Sequence, residues 1–220
     1  GTTFKAQPGE VSSERVFNKI FSGAKKPIFT SITAKNHLVT LSEVFAMYFL
    51  VWSPNLWSRI KLDSGHVGQS FQPTYKKEQA IIEGFVHSLA EVSRVFAHIP
   101  TYMIFDDHDV TDDWNLTRAW EEAAYGHPFS KRIIGNALIG YWLCQGWGNA
   151  PAKFESLQQQ VPQFFNGAGF QQQDQLINQL LAWQQWHYQL QTSPKIIVLD
   201  TRTQRWRSES DPNKPSGLMD

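Results

Sequence analysis

Residues 101–115 read TYMIFDDHDVTDDWN, and the fold turns on whether the apolar run TYMIF (101–105) is a buried β-strand that delivers the following acids to the edge of a sheet. Five aspartates and one histidine occupy the eight positions 106–113. Two carboxylates about 6 Å apart at an effective dielectric of about 20 oppose each other by roughly 2 to 3 kcal/mol, so protonation, basic side chains or cations must neutralise the cluster.

Outward from this stretch, KIIVLD (195–200) repeats its construction: a long helical pattern, a proline, an apolar run and a terminal aspartate. Strands of this kind in α/β proteins usually lie parallel, with ligands bound beyond their carboxyl ends. The expectation is that Asp106, Asp107 and Asp200 emerge at one edge of one sheet.

The remaining pattern is helical. Thr40 and Glu43 make a capping box ahead of VFAMYFLVW (44–52), which stops at Ser53-Pro54. Ile81, Ile82, Phe85, Val86, Leu89, Val92, Val95 and Phe96 recur at helical spacing between Thr74 and His98, and Pro100 ends that run. Asn115 can cap a helix through Tyr125 that ends at Gly126, and SKRIIGNALIGYWLCQGW (130–147) reads as a more buried helix. Residues 149–173 are rich in Gln, Gly and Phe and read as loop with some helix. Leu176, Leu180 and Trp183 then mark a glutamine-faced helix running to about Gln191.

Composition narrows the function classes. A chain of 220 residues with 41% hydrophobic and 14% aromatic content can bury one core, so a single domain over 1–220 is expected. Twenty basic residues balance twenty acidic ones, which disfavours nucleic acid or an anionic membrane surface as the main partner and suits a small ligand. A single cysteine, Cys144, excludes an intrachain disulfide framework and a multi-thiolate zinc site. The run from Val44 to Trp52 is too short to span a bilayer, so no transmembrane segment is expected. The compartment stays open, with a cytoplasmic location the marginal preference. An EF-hand loop counted from Asp107 would need glycine sixth and glutamate twelfth, where Asp112 and Arg118 stand.

DDHDVTDDWN after a buried run resembles the signature of the PhoD-like branch of the calcineurin-type metallophosphoesterases. HLVTLSEVFAMYFLVWSPNLW upstream and VLDTRTQRWRSESDPNKPSGLMD downstream also resemble that branch. The resemblance implies an α/β fold: a partial metallophosphoesterase-type β-sandwich flanked by helices, helix-rich in the portion present. It places Asp107 as a metal ligand with Asp106 beside it, His108 at the scissile phosphate, and Asp109 as the acid that orients the imidazole. Asp112, Asp113 and Asp200 would support these groups from behind. The implied cofactor is a dinuclear centre of divalent or trivalent ions, of which Fe, Ca, Mn and Zn are the candidates. The implied substrate is a small-molecule or lipid phosphate ester. Such a pair of cations generates a hydroxide near neutral pH and offsets charge during in-line attack at phosphorus, while the imidazole can protonate the leaving oxygen. Motifs expected before and after this stretch are missing, so the chain reads as the central part of one such domain, truncated at both ends and inactive alone. The alternative is a catalytically silent metal-binding or interaction domain of the same fold.

Plainer readings stand beside these. The aspartates can be a solvated helix-entry loop with capping acids. Arg202 and Arg205 can hold a substrate phosphate bidentately or pair with the acids. His37, His66, His87, His98, His127 and His187 show no paired metal spacing and read as surface or core residues.

Overall fold

The computed structural model describes residues 38–165 and 170–219. His37 lies outside them. The chain forms two compact units, Phe45–Thr101 and a larger one that contains the remaining described residues.

In the smaller unit, helix α1 (Leu41–Trp52, which begins in the larger unit) is followed by a 3-10 turn (Pro54–Arg59) and α2 (Gln72–His98). The start of α1 carries the capping box anticipated from sequence: the Glu43 N–H donates to Thr40 Oγ1 at 3.2 Å, and the Thr40 N–H donates to Glu43 Oε2 at 2.8 Å. Hydrogen bonding from the Thr40 N–H holds the Glu43 carboxyl below its usual range, against a smaller effect of burial. The end of α1 is fastened to α2, where the Ser93 hydroxyl donates to the Trp52 carbonyl at 2.9 Å and the Trp52 and Phe96 rings lie 5.1 Å apart. Leu89 is the buried residue of α2, whereas Ile81, Phe85, Val92, Val95 and Phe96 are exposed.

In the larger unit, α3 (Arg118–Gly126) leads to α4 (Pro128–Tyr141), whose residues 133–141 are all buried. Helix α4 continues through a π-helical segment (Trp142–Gly146) and packs against α5 (Phe170–Leu181). The approach is close enough that a Cβ at Gly135 would collide with the Ile177 side chain. Short helical turns at Pro151–Phe154, Glu155–Gln158 and Val161–Phe165 fill the segment read as loop with some helix, and residues 166–169 of that segment lie outside those described. Aromatic rings close the core: Phe105 meets Trp114 at 5.1 Å, Tyr141 at 4.8 Å and Trp186 at 5.5 Å, each edge to face.

Three expectations are corrected. The β-sandwich is absent: the described residues are helix-rich and contain one two-stranded antiparallel sheet, β1 (Tyr188–Leu190) with β2 (Ile196–Val198), paired Tyr188 to Val198 and Leu190 to Ile196. KIIVLD is therefore a strand, but its partner is its immediate sequence neighbour through a short connection, which only antiparallel pairing allows. The glutamine-faced helix stops at Leu181, because Trp186 and Tyr188 both bury their rings at a spacing of two, the period of a strand. Finally, TYMIF has no strand partner among the described residues. The Asn149 side chain substitutes for one, accepting from the Met103 N–H at 3.0 Å and donating to the Met103 carbonyl at 2.5 Å. A primary amide carries the same donor and acceptor as a peptide unit, so the N–H and carbonyl of Met103 are satisfied without a sheet.

Among the described residues no helix is long and apolar enough to cross a membrane.

Candidate functional site

The acid stretch leaves the core at Phe105, which is 3% exposed and fixes the point of departure. A single 3-10 turn follows at Asp107–Asp109, closed by a capping box in which the Asp106 N–H donates to Asp109 Oδ2 at 2.8 Å. The chain then re-enters the core at Val110 and Thr111. Asp113 and Asn115 take φ values of 59° and 56°, the left-handed region that aspartate and asparagine enter more readily than other side-chain-bearing residues. Asn115 is not the helix cap. That role falls to Thr117, whose hydroxyl accepts from the Trp120 N–H at 3.1 Å. Asn115 instead accepts from the Tyr125 hydroxyl at 2.6 Å and donates to the Arg202 carbonyl at 3.2 Å, which joins the end of the acid stretch to the loop after β2.

That loop is shaped by Asp200. Its carboxylate is 1% exposed and accepts from the backbone N–H groups of Arg202 at 2.9 Å and Thr203 at 2.8 Å, and from the Thr203 hydroxyl. The resulting turn brings Arg202 and Arg205 to the acids. Arg202 pairs with Asp106, and its Nε lies 2.7 Å from Asp107 Oδ1 as an ion pair without hydrogen-bond alignment. Arg205 Nη2 reaches the same Asp107 oxygen at 3.4 Å, while its Nε donates to the Thr201 carbonyl at 3.0 Å. Guanidinium groups thus supply charge compensation for Asp106 and Asp107, and of the two open readings for Arg202 and Arg205 the structure displays the pairing.

His108 lies on the solvent side of these ion pairs. Its side chain is 77% exposed, with Nε2 at 3.2 Å from Asp112 and Nδ1 at 3.7 Å from Asp106. The carboxylate nearest its ring is Asp112, four residues on, whereas Asp109 turns inward toward the Asp106 N–H and the Gln145 side chain. Burial pushes the Asp109 carboxyl above its usual value. Asp106 moves the other way: hydrogen bonding from the Asp107 N–H, then Arg202, holds it below the ordinary carboxylate range.

The candidate residues therefore divide. Asp106, Asp107, His108, Asp112, Arg202 and Arg205 come together in one cluster, Asp109 and Asp200 hold its two backbone turns, and Asp113 serves a backbone bend. Among the described residues no group of three or more His, Cys, Asp or Glu side chains could hold a metal ion, and the Asp107 carboxylate is taken up by two arginines. The donors described do not fit a complete dinuclear centre. The sequence pattern did not reveal Gln145 and Asn149, whose partners lie far away in sequence, or Tyr125, whose hydroxyl meets Trp114 and Asn115; the RTQRWR run (202–207) was the one visible signal of a concentrated basic loop. Comparison with protein-family models, curated proteins and solved structures finds no match for this chain.

Proposed function

We propose that this chain belongs to a phosphate-ester hydrolase acting on a small-molecule or lipid phosphate ester. The observation that supports this reading is the convergence of two guanidinium groups, a solvent-facing imidazole and a carboxylate pair within one cluster. Phosphate oxygens match the planar fork of arginine as carboxylates do, so a substrate phosphate can exchange with Asp106 and Asp107 on Arg202 and Arg205. His108, beside Asp112, is placed to carry a proton to the leaving oxygen. The divalent or trivalent metal pair that the resemblance implies would need donors beyond the described residues.

The test is hydrolysis of p-nitrophenyl phosphate and its bis-ester by the protein that carries this sequence, with divalent metal ions supplied. His108→Ala should lower kcat by about 10² to 10⁴, the range for a positioned acid or base, with the fold unchanged by circular dichroism. Unchanged turnover removes His108 from the chemistry. A second reading has its own observation: the acids of the turn are compensated inside the chain, as in a structural clasp between two loops. A clasp predicts that Arg202→Ala lowers thermal stability and leaves turnover in the folded fraction intact.

A further inference from the structure

One face of β1 lines a cavity of about 440 Å³, together with the chain around the 3-10 turn Pro151–Phe154. We propose that this cavity binds a small carboxylate that also carries an amide group, as an N-acylated amino acid does. None of its lining residues belongs to the cluster around Asp107, so the proposal goes beyond ester hydrolysis and does not depend on it.

Strand geometry is the first argument. His187, Gln189 and Gln191, in β1 and directly beside it, stand two residues apart and so share one face; all three are exposed and line the cavity. Ile197, the cross-strand partner of Gln189, lines it too. The intervening Tyr188 is 6% exposed, with its ring 5.9 Å from that of Tyr102, which anchors the strand that presents this polar row. The side chains of His187, Gln189 and Gln191 make no hydrogen bond to another described residue. A primary amide offers both donors and an acceptor, so the two glutamines can answer a ligand amide in either orientation. Asn149 differs: its amide is spent on Met103, and it supplies wall rather than recognition.

Charge is the second. The lining holds Lys153 and neither an aspartate nor a glutamate. Lys153 Nζ donates to the His187 carbonyl at 2.8 Å, which fixes the ammonium beside the strand, and it forms no ion pair among the described residues. An ammonium has three N–H donors, so this one keeps donors for an anion. A single lysine balances a monoanion, and the arginine fork that suits phosphate is absent from this lining.

Size is the third. Small-molecule sites occupy about 300 to 1,000 Å³, and this cavity falls within that range. Ile197, 63% exposed, offers an apolar contact to the rest of the ligand.

The experiment is a chemical-shift titration of the isotope-labelled 220-residue chain at low ionic strength, with N-acetylleucine, its neutral analogue N-acetylleucinamide, and acetate. N-acetylleucine should move the backbone amides of Lys153 and residues 187–191 saturably. It should bind about fivefold or more tightly than either comparison compound, since the first lacks the charge and the second the amide. Lys153→Gln should bring N-acetylleucine and N-acetylleucinamide to equal affinity. Gln189→Ala, at an exposed position, should weaken both by about threefold or more while the preference for the acid persists, which keeps the test decisive if Lys153→Gln does not fold. Lys61→Gln, which removes the same charge in the smaller unit, should change nothing. Absence of shifts at these residues overturns the proposal, as does equal binding of acid and amide by the unmodified chain. So does an undiminished preference in folded Lys153→Gln, unaltered binding in Gln189→Ala, or an equal loss in Lys61→Gln.

Discussion

Asp109 and Asp106 are three residues apart, yet their surroundings drive their acidities in opposite directions, and stability should record the difference. Burial raises Asp109, so folding favours its protonated form; that contribution is complete below the unfolded-state value and is lost as pH rises through the folded-state value. Asp106 is lowered by hydrogen bonding from the Asp107 N–H and by Arg202, so its contribution is present above the unfolded-state value and is lost as pH falls through the folded-state value. Asp109→Asn keeps an acceptor for the Asp106 N–H and removes the buried charge. It should hold or raise Tm at about pH 7 and flatten the pH profile on the acid side, whereas Asp106→Asn should lower Tm more at about pH 7 than at acid pH, where Asp106 takes up its proton in the folded state. Thermal melts across that range check both, and a lower Tm for Asp109→Asn at neutral pH would count against the burial argument. Asp113 offers a cleaner separation of structure from chemistry, because its φ is 59°. Asp113→Val should cost about 1 kcal/mol or more, and Asp113→Gly should be neutral or stabilising by denaturant melts. The same two variants should leave activity alone if Asp113 only bends the backbone.

At the scale of elements, the contact between α4 and α5 depends on one missing methyl group. Gly135→Ala places a Cβ against Ile177 within two packed helices, and should destabilise by about 1 to 3 kcal/mol. Gly84, in the interior of α2, has open space around the position a Cβ would take, so Gly84→Ala should stabilise by about 0.5 to 1 kcal/mol through the intrinsic preference of helices for alanine. Urea unfolding of the pair measures both signs in one background, and similar effects at the two glycines would refute the packing account. Helix positions were legible from sequence because apolar spacing and proline stops are local signals: the run expected over 74–98 is α2 at Gln72–His98. Strand pairing was not legible, because an apolar run such as TYMIF shows neither what answers its hydrogen bonds nor how much of it is buried: Thr101 and Tyr102 are exposed, and of the five residues only Phe105 is buried. Here the answer is Asn149, 46 residues away.

Across the whole molecule, apolar surface is distributed unevenly. In the unit Phe45–Thr101, α2 exposes Ile81 at 64% and Val95 at 51% among other large side chains, while α4 in the larger unit is buried along most of its length. Ile81→Lys with Val95→Glu should therefore reduce binding of a hydrophobic dye and self-association of this chain, measured by fluorescence and sedimentation, with helix content unchanged. An undiminished dye signal would place the accessible apolar surface elsewhere. The sequence by itself determined the helical runs that became α1, α2 and α4, the capping box at Thr40 and Glu43, the short reach of the apolar run before Pro54, and the need for compensation at the aspartates, since each follows from spacing or charge within a few residues. Tertiary structure alone decided that TYMIF has no strand partner among the described residues, that KIIVLD pairs with its neighbour, and that Arg202 and Arg205 neutralise Asp106 and Asp107. These outcomes join residues nearly a hundred positions apart, or set one hydrogen-bond partner against another, and the energies that choose between them arise only when the chain has closed around its aromatic core.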